Sequence, residues 1–275
     1  AVVSNTTGYI DFSFSEDFFD EGVGAMVSGP GSQWNNSDDL YVGHFDNGIL
    51  TVTDGGTVSN VNGYLAWESG STGVATVTGS GSTWINSGNL HVGKASDYDG
   101  GIVSITDNGA VQVGGMAKLY ANGTMNIDGG MLEVEQMLDL EAGSTVNLNS
   151  GTLSVKNFSG DGSLVWNGGT LELTGPAGLT VGTSGPFDSF LTIESDPTLS
   201  VSNTTTIETG GILTVVLGGF SSDLLKIESE GKFDVPSGYA NNDEIQLSGT
   251  DARITGGTLT NHGLLLGVSR VEARL

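Results

Sequence analysis

The sequence predicts an all-β chain wound into a parallel β-solenoid. Three observations predict it: a glycine-rich, proline-poor composition, apolar residues in short alternating runs, and an internal repeat. The 275 residues include 45 Gly and only 5 Pro. That glycine count is about twice the usual frequency. Mixed with Ser, Thr, Asn, Val and Leu, it implies many tight turns between short strands rather than disorder.

The repeat is the strongest of the three. Val27-Ser28-Gly29-Pro30-Gly31-Ser32-Gln33-Trp34 matches Val77-Thr78-Gly79-Ser80-Gly81-Ser82-Thr83-Trp84, 50 residues on. Leu40-Tyr41-Val42-Gly43 matches Leu90-His91-Val92-Gly93 at the same offset. Gly48 to Asp54 then matches Gly101 to Asp107 at an offset of 53, with the extra residues in the polar stretch Lys94 to Gly100. Insertions in repeat proteins fall in loops while strands keep register. Trp34, Trp84, Gly43, Gly93, Asp54 and Asp107 are thus the markers of the repeat, and the two Trp read as a packed corner of each double coil in preference to a carbohydrate-stacking ladder.

Taken in order, residues 1–24 match no repeat. Phe18-Phe19, flanked by acidic residues, suits an N-terminal cap or a docking segment for another subunit. Residues 25–73 and 74–119 form the two long matching blocks, and 120–275 read as shorter coils. There a glycine turn followed by an alternating strand recurs, with 21 residues from Gly130 to Gly151 and 18 from Gly151 to Gly169. Two such coils, somewhat longer, make each 50-residue block. Leu50, Val52 and Val58 are expected to point inward with Thr51 and Thr53 outward, and Val146, Leu148, Leu153 and Val155 to fill a later coil. Met131 to Ala142 has good helix formers, but Leu132, Val134, Leu138 and Leu140 alternate, so it is read as strand.

A single coil cannot satisfy its edge N–H and C=O groups, and a neighbour stacked ~4.8 Å away supplies both partners and core. About a dozen coils follow from the length, making a rod roughly 55–60 Å long. The sequence ends at Gly267 to Leu275 in mid-pattern, which predicts a segment of a longer polypeptide with edges able to self-associate end to end.

The Trp blocks, with Leu90-His91-Val92-Gly93 and Gly101 to Thr106, resemble repeats of autotransporter passenger domains and large bacterial β-helical surface proteins. The resemblance covers about Ala25 to Val113 well and is looser beyond. It implies a single-stranded right-handed parallel β-helix, export to the cell surface, and an adhesive or stalk role, with a host, cell-surface or polysaccharide ligand. It carries no catalytic motif.

Charge excludes other classes. Lys and Arg total 8 against 32 Asp and Glu, a formal charge of −24. Such a chain repels nucleic acid and anionic membranes. No apolar run is long enough for a transmembrane helix, so this segment is not expected to insert in a membrane. There is no Cys. Asp97-Tyr98-Asp99-Gly100 sets alternating carboxylates before a glycine, so Asp97 and Asp99 are the candidate calcium ligands, against the plainer reading of a hydrated loop. No other cofactor is expected.

The alternative to a surface protein is a carbohydrate-active β-helix, a polysaccharide lyase or hydrolase. The eight cations are scattered, which disfavours a lyase. Asp38-Asp39 is the best local carboxylate pair for a hydrolase, although adjacent strand residues face opposite ways. His44, His91 and His262 lack metal-ligand spacing, and His91 reads as a strand surface residue equivalent to Tyr41. A flat threonine face for ice or a crystalline polymer is suggested by Thr51, Thr53 and Thr57, but a regular Thr-x-Thr ladder across successive coils is expected to be absent.

Overall fold

The computed structural model describes residues 1–11, 24–94, 100–183, 187, 189–267 and 270–274. The described secondary structure is strand throughout, without helix, and every strand pairing is parallel; the strands stack as a β-solenoid of about 11 turns. The chain divides into two compact units, Ala1–Gly169 and Thr170–Leu275.

In the N-terminal unit each coil contributes three strands. Leading strands Ala25–Ser28, Gly48–Thr53, Gly73–Thr78 and Gly101–Thr106 pair in succession. Middle strands Val2–Asn5, Gln33–Asn36, Thr57–Asn60, Thr83–Asn86 and Ala110–Val113 do likewise. Trailing strands Gly8–Ile10, Leu40–Val42, Gly63–Leu65, Leu90–Val92 and Met116–Leu119 complete the set. Thr124–Leu140 and Thr145–Gly160 each run through all three faces, bending at register shifts. Within residues 1–24, read as a cap or docking segment, Val2–Asn5 and Gly8–Ile10 are strands paired in register with the next coil; Phe18-Phe19 lie outside the described residues.

The expected alternation holds. Leu50, Val52, Val58, Val146, Leu148, Leu153 and Val155 are fully buried, as are Leu132, Leu138 and Leu140 of the ambiguous stretch. Burial of a stacked aliphatic column overrides helix propensity there, because each Leu is worth about 1.5–3 kcal/mol when taken from water.

The 50-residue period has a packing origin. Trp34 pairs with Val58, and Val58 with Trp84, so the two Trp occupy one column two coils apart. Trp84 is fully buried, and its indole N–H donates to Asn60 Oδ1 of the preceding coil at 2.7 Å. Trp34 does the same to Asn5 Oδ1 at 2.6 Å. Each indole is accommodated by a glycine one coil back. A Cβ on Gly63 would lie 2.9 Å from Trp84 Cζ2 and 2.4 Å from Asn86 Oδ1, and one on Gly8 would lie 3.1 Å from Trp34 Cζ2. A Trp-and-Leu coil thus alternates with a Val-and-Gly coil: Trp34 and Leu40, Val58 and Gly63, Trp84 and Leu90. Large against small fills the core at crystal-like density.

Asparagines pair between coils beside the indoles. Asn5 Nδ2 donates to Asn36 Oδ1 and Asn60 Nδ2 to Asn86 Oδ1, each at 2.7 Å. The next residue in that column is Val113, and Asn86 Nδ2 has no partner among the described residues.

The marker aspartates sit in the turn between leading and middle strands. Asp54 and Asp107 adopt φ of +53° and +49°, a left-handed conformation that Asp and Asn tolerate better than bulkier residues. Asp54 Oδ2 accepts from Ser28 Oγ at 2.9 Å and Asp107 Oδ2 from Thr78 Oγ1 at 3.2 Å, each reaching to the preceding coil.

Against the expected absence of a ladder, Thr and Ser align between successive coils on the leading face. Thr51 pairs with Thr76 and Thr76 with Ser104; Ser28 pairs with Thr53 and Thr78 with Thr106. Thr57 belongs to the middle face instead. Uneven coil lengths displace these residues from any constant spacing.

The C-terminal unit winds with a shorter coil. Phe190–Ile193, Ile212–Val215, Lys232–Val235, Arg253–Gly256 and Arg270–Val271 form one face. Within a second face, Thr198–Ile207 pairs with Gly219–Ile227, Gly219–Ile227 with Glu244–Leu247, and that strand with Leu264–Gly267. Leu213, Phe233 and Ile254 are fully buried between them.

The alternation makes a quantitative prediction. Trp84→Ala should lower unfolding free energy by about 3–5 kcal/mol. Gly63→Leu should destabilise the parent, yet cost much less in a Trp84→Val background, giving a coupling on the order of 1–3 kcal/mol. Urea denaturation of the four proteins measures it.

Candidate functional site

The corner between trailing and leading strands carries the loops of residues 43–47 and 66–72 in successive coils, and Gly93, Lys94 and Gly100 are the described residues of that corner in the next coil. Gly43 and Gly93 turn the chain there, at φ of +74° and +77°, with Ala66 at +50° in the coil between. A Cβ on Gly43 would meet Thr72 O at 1.9 Å, so only glycine fits.

Beside these loops the trailing strands present one outward column in register: Tyr9, Tyr41, Tyr64, His91, then Lys118. Their rings form a continuous stack. Tyr9–Tyr41 centroids are 5.0 Å apart and inclined 6°, Tyr41–Tyr64 4.7 Å and 11°, Tyr64–His91 5.1 Å and 5°. The spacing is the inter-strand spacing of a sheet. Rings this parallel use both faces on one another and leave their edges and polar tips outward. Tyr120 closes the stack, its hydroxyl 3.3 Å from His91 Nδ1.

A second tier lies across the first. The loop backbone pairs Trp67 N with Gly43 O and Glu68 N with His44 O, which places Trp67 one coil above His44. The Trp67 ring is inclined 67° to both Tyr64 and His91, at 4.4 and 5.6 Å. Since the faces of those rings are occupied, they present their edges to the indole. Lys94 Nζ lies 3.7 Å from the Trp67 ring centroid, a cation–π contact. His44 spans Tyr9 and Tyr41 in the same manner, at 5.5 and 4.6 Å, with Phe45 against it at 4.0 Å. Phe45 and Tyr9 are 67% and 57% exposed. His44 Nδ1 is shut from solvent and has no hydrogen-bond partner among the described residues.

Electrostatics follow from burial. Tyr41 is pushed up to about 12, chiefly by burial and then by Asp39. Tyr64 is raised by burial and then by Asp39. Both hydroxyls therefore keep their protons at neutral pH. His91 is held below the usual histidine range, first by burial and then by Lys118 and Lys94. Lys118 is tied to Glu141 at 2.8 Å and Asp139 at 3.3 Å.

Of the residues singled out from sequence, the fold brings His44 and His91 into one strip and leaves His262 in the other unit. His91 sits on the strand surface opposite Tyr64, as its match to Tyr41 suggested. Asp39 is structural: its Oδ1 accepts from Asn62 Nδ2 at 2.8 Å and Asn62 N at 3.2 Å. Asn62 Oδ1 receives Asn89 N, and Asn89 Oδ1 receives Met116 N, each at 2.8 Å, so the same corner device climbs the coils. Asp97 and Asp99 lie outside the described residues. Among those described, no three His, Asp or Glu converge as a metal-binding group, and no helix is long and apolar enough to cross a membrane. Sequence reasoning missed Tyr9, Tyr64, Trp67 and Tyr120. The signal was the tripeptide pair Gly8-Tyr9-Ile10 and Gly63-Tyr64-Leu65, which echoes Leu40-Tyr41-Val42 and Leu90-His91-Val92.

No protein-family model and no curated protein matches the chain. Among solved structures, the chain is similar to the crystal structure of a TibC-catalysed, hyper-glycosylated TibA fragment, at 11% identity and a TM-score of 0.32, covering 99% of this chain and 100% of that one.

The depressed His91 makes a pH prediction. A base whose folded pKa is lowered resists protonation, so its contribution is intact above the unfolded value near 6.5 and is lost as pH falls through the folded value. His91→Tyr would extend the tyrosine stack without that liability. Its advantage in denaturation midpoint over the parent should widen from about pH 7.5 to about pH 5, measured by urea titration at each pH.

Proposed function

We propose that the chain is a non-enzymatic extracellular protein of the bacterial surface, an adhesive β-solenoid that meets its ligand through the aromatic corner. The observation carrying this reading is the two-tier ring cluster, built by loops of successive coils and left partly open. Scattered exposed apolar residues are ordinary, but convergent aromatic side chains on stacked loops mark a binding surface. A regular coil stack is a rigid scaffold for such loops, and the strong negative charge keeps the remaining surface solvated. The resemblance of the Trp blocks to bacterial surface repeats agrees with it. The competing enzyme reading is weakened by the structural duty of Asp39.

Beads coated with the purified chain should adhere to cell layers, and Trp67→Ala with Phe45→Ala should reduce adhesion at least tenfold while leaving far-ultraviolet dichroism unchanged. Release of reducing sugar from a polysaccharide panel by the parent chain would instead establish the enzyme. Light scattering of the same preparation reports end-to-end association.

A second reading has its own observation, the leading-face hydroxyl array. Outward positions of its four strands from Ala25 to Thr106 carry no charge in a chain of net −24. Thr106 Oγ1 donates to Thr78 Oγ1 at 2.8 Å, fixing the rotamers. Such an array suits ice. Ice growth-point depression that Thr76→Tyr abolishes would support it, and unaltered ice growth in the parent chain would dismiss it.

A further inference from the structure

The aromatic corner also has a repeat, and that repeat constrains its ligand. The ring stack carries one polar side chain per coil, from Tyr9, Tyr41, Tyr64 and His91, with successive ring centroids 4.7–5.1 Å apart. An extended β-linked polysaccharide advances by nearly the same step per sugar. We infer that this corner binds a linear, uncharged β-linked glycan laid along the coils, one sugar per coil. The inference rests on the adhesive reading above and names its ligand class.

Three observations carry it. The periodic groups are hydrogen-bonding: three phenol hydroxyls followed by an imidazole, each at the edge of a stacked ring. Ring surface is available alongside, since Phe45 and Tyr9 are the most open aromatics of the cluster. Charge then separates neutral from anionic glycans. Asp38, Asp39, Asp46 and Glu68 border the corner; Lys118 is neutralised by Asp139 and Glu141, and Lys94 lies on Trp67. Uronate or sulfated chains would enter an acidic border on a chain of net −24, which repels them.

The column also sets the length. Beyond His91 the outward residue is Lys118 and then Asp139, which pair with each other. The site therefore has four steps, and a longer chain gains no further rung.

Calorimetric titration of the intact chain with cello-oligosaccharides and chito-oligosaccharides of two to six sugars tests this. Affinity should rise with each added sugar up to four and then level. Tyr64→Phe retains the stack and removes one hydroxyl. It should melt with the parent and bind four-sugar chains about tenfold more weakly, which corresponds to ~1.4 kcal/mol. Tyr64→Ala should lose more, in both binding and stability. No binding by any of these chains, affinity indifferent to length, tighter binding of oligogalacturonate, or parental binding by Tyr64→Phe would each overturn it. Bead adhesion that persists while these oligosaccharides fail to bind would reject the inference and leave the adhesive reading intact.

Discussion

Every feature of the N-terminal unit depends on the main-chain hydrogen bonding of each coil to the next, in register and in parallel. A residue is thereby placed directly over its counterpart from a turn earlier, at the spacing of a sheet. Identical or complementary side chains then add along a column instead of pairing once. The asparagine pairing, the corner amide relay through Asp39, Asn62 and Asn89, and the ring stack are three uses of the same constraint. Stacked aromatic pairs contribute about 0.5–1.5 kcal/mol each beyond their buried area.

The same constraint lets one unit carry different chemistry on different faces. The leading face is aliphatic and hydroxyl-bearing, the trailing face is aromatic, and the turns hold glycine, aspartate and asparagine. Inward residues are free to remain Val, Leu and Ile because alternation separates the two duties at every step. The corner loops bear Trp67 and His44, which lie across rings that the strands hold fixed.

This division explains what the sequence revealed and what it concealed. The core was legible residue by residue, since alternation is local: Leu132 and Leu140 identify a strand within a stretch of good helix formers. The Trp-to-Trp match was legible because its offset is constant and indole is rare. The binding corner was not, because its rings come from Tyr9, Tyr41, Tyr64 and His91, at unequal separations of 32, 23 and 27 residues. Loop length sets those separations, while the backbone register that aligns the rings leaves no trace in one-dimensional spacing. The hydroxyl columns through Thr51, Thr76 and Ser104 were hidden for the same reason.

The alternation of bulky and glycine-containing coils has an evolutionary corollary. Copying a single turn would set indole upon indole, or empty space upon empty space, and either child would be penalised at birth. Copying two turns together reproduces the fit. Lineages carrying this Trp pattern should accordingly grow and shrink in even-numbered steps, with recombination endpoints spaced by the pair.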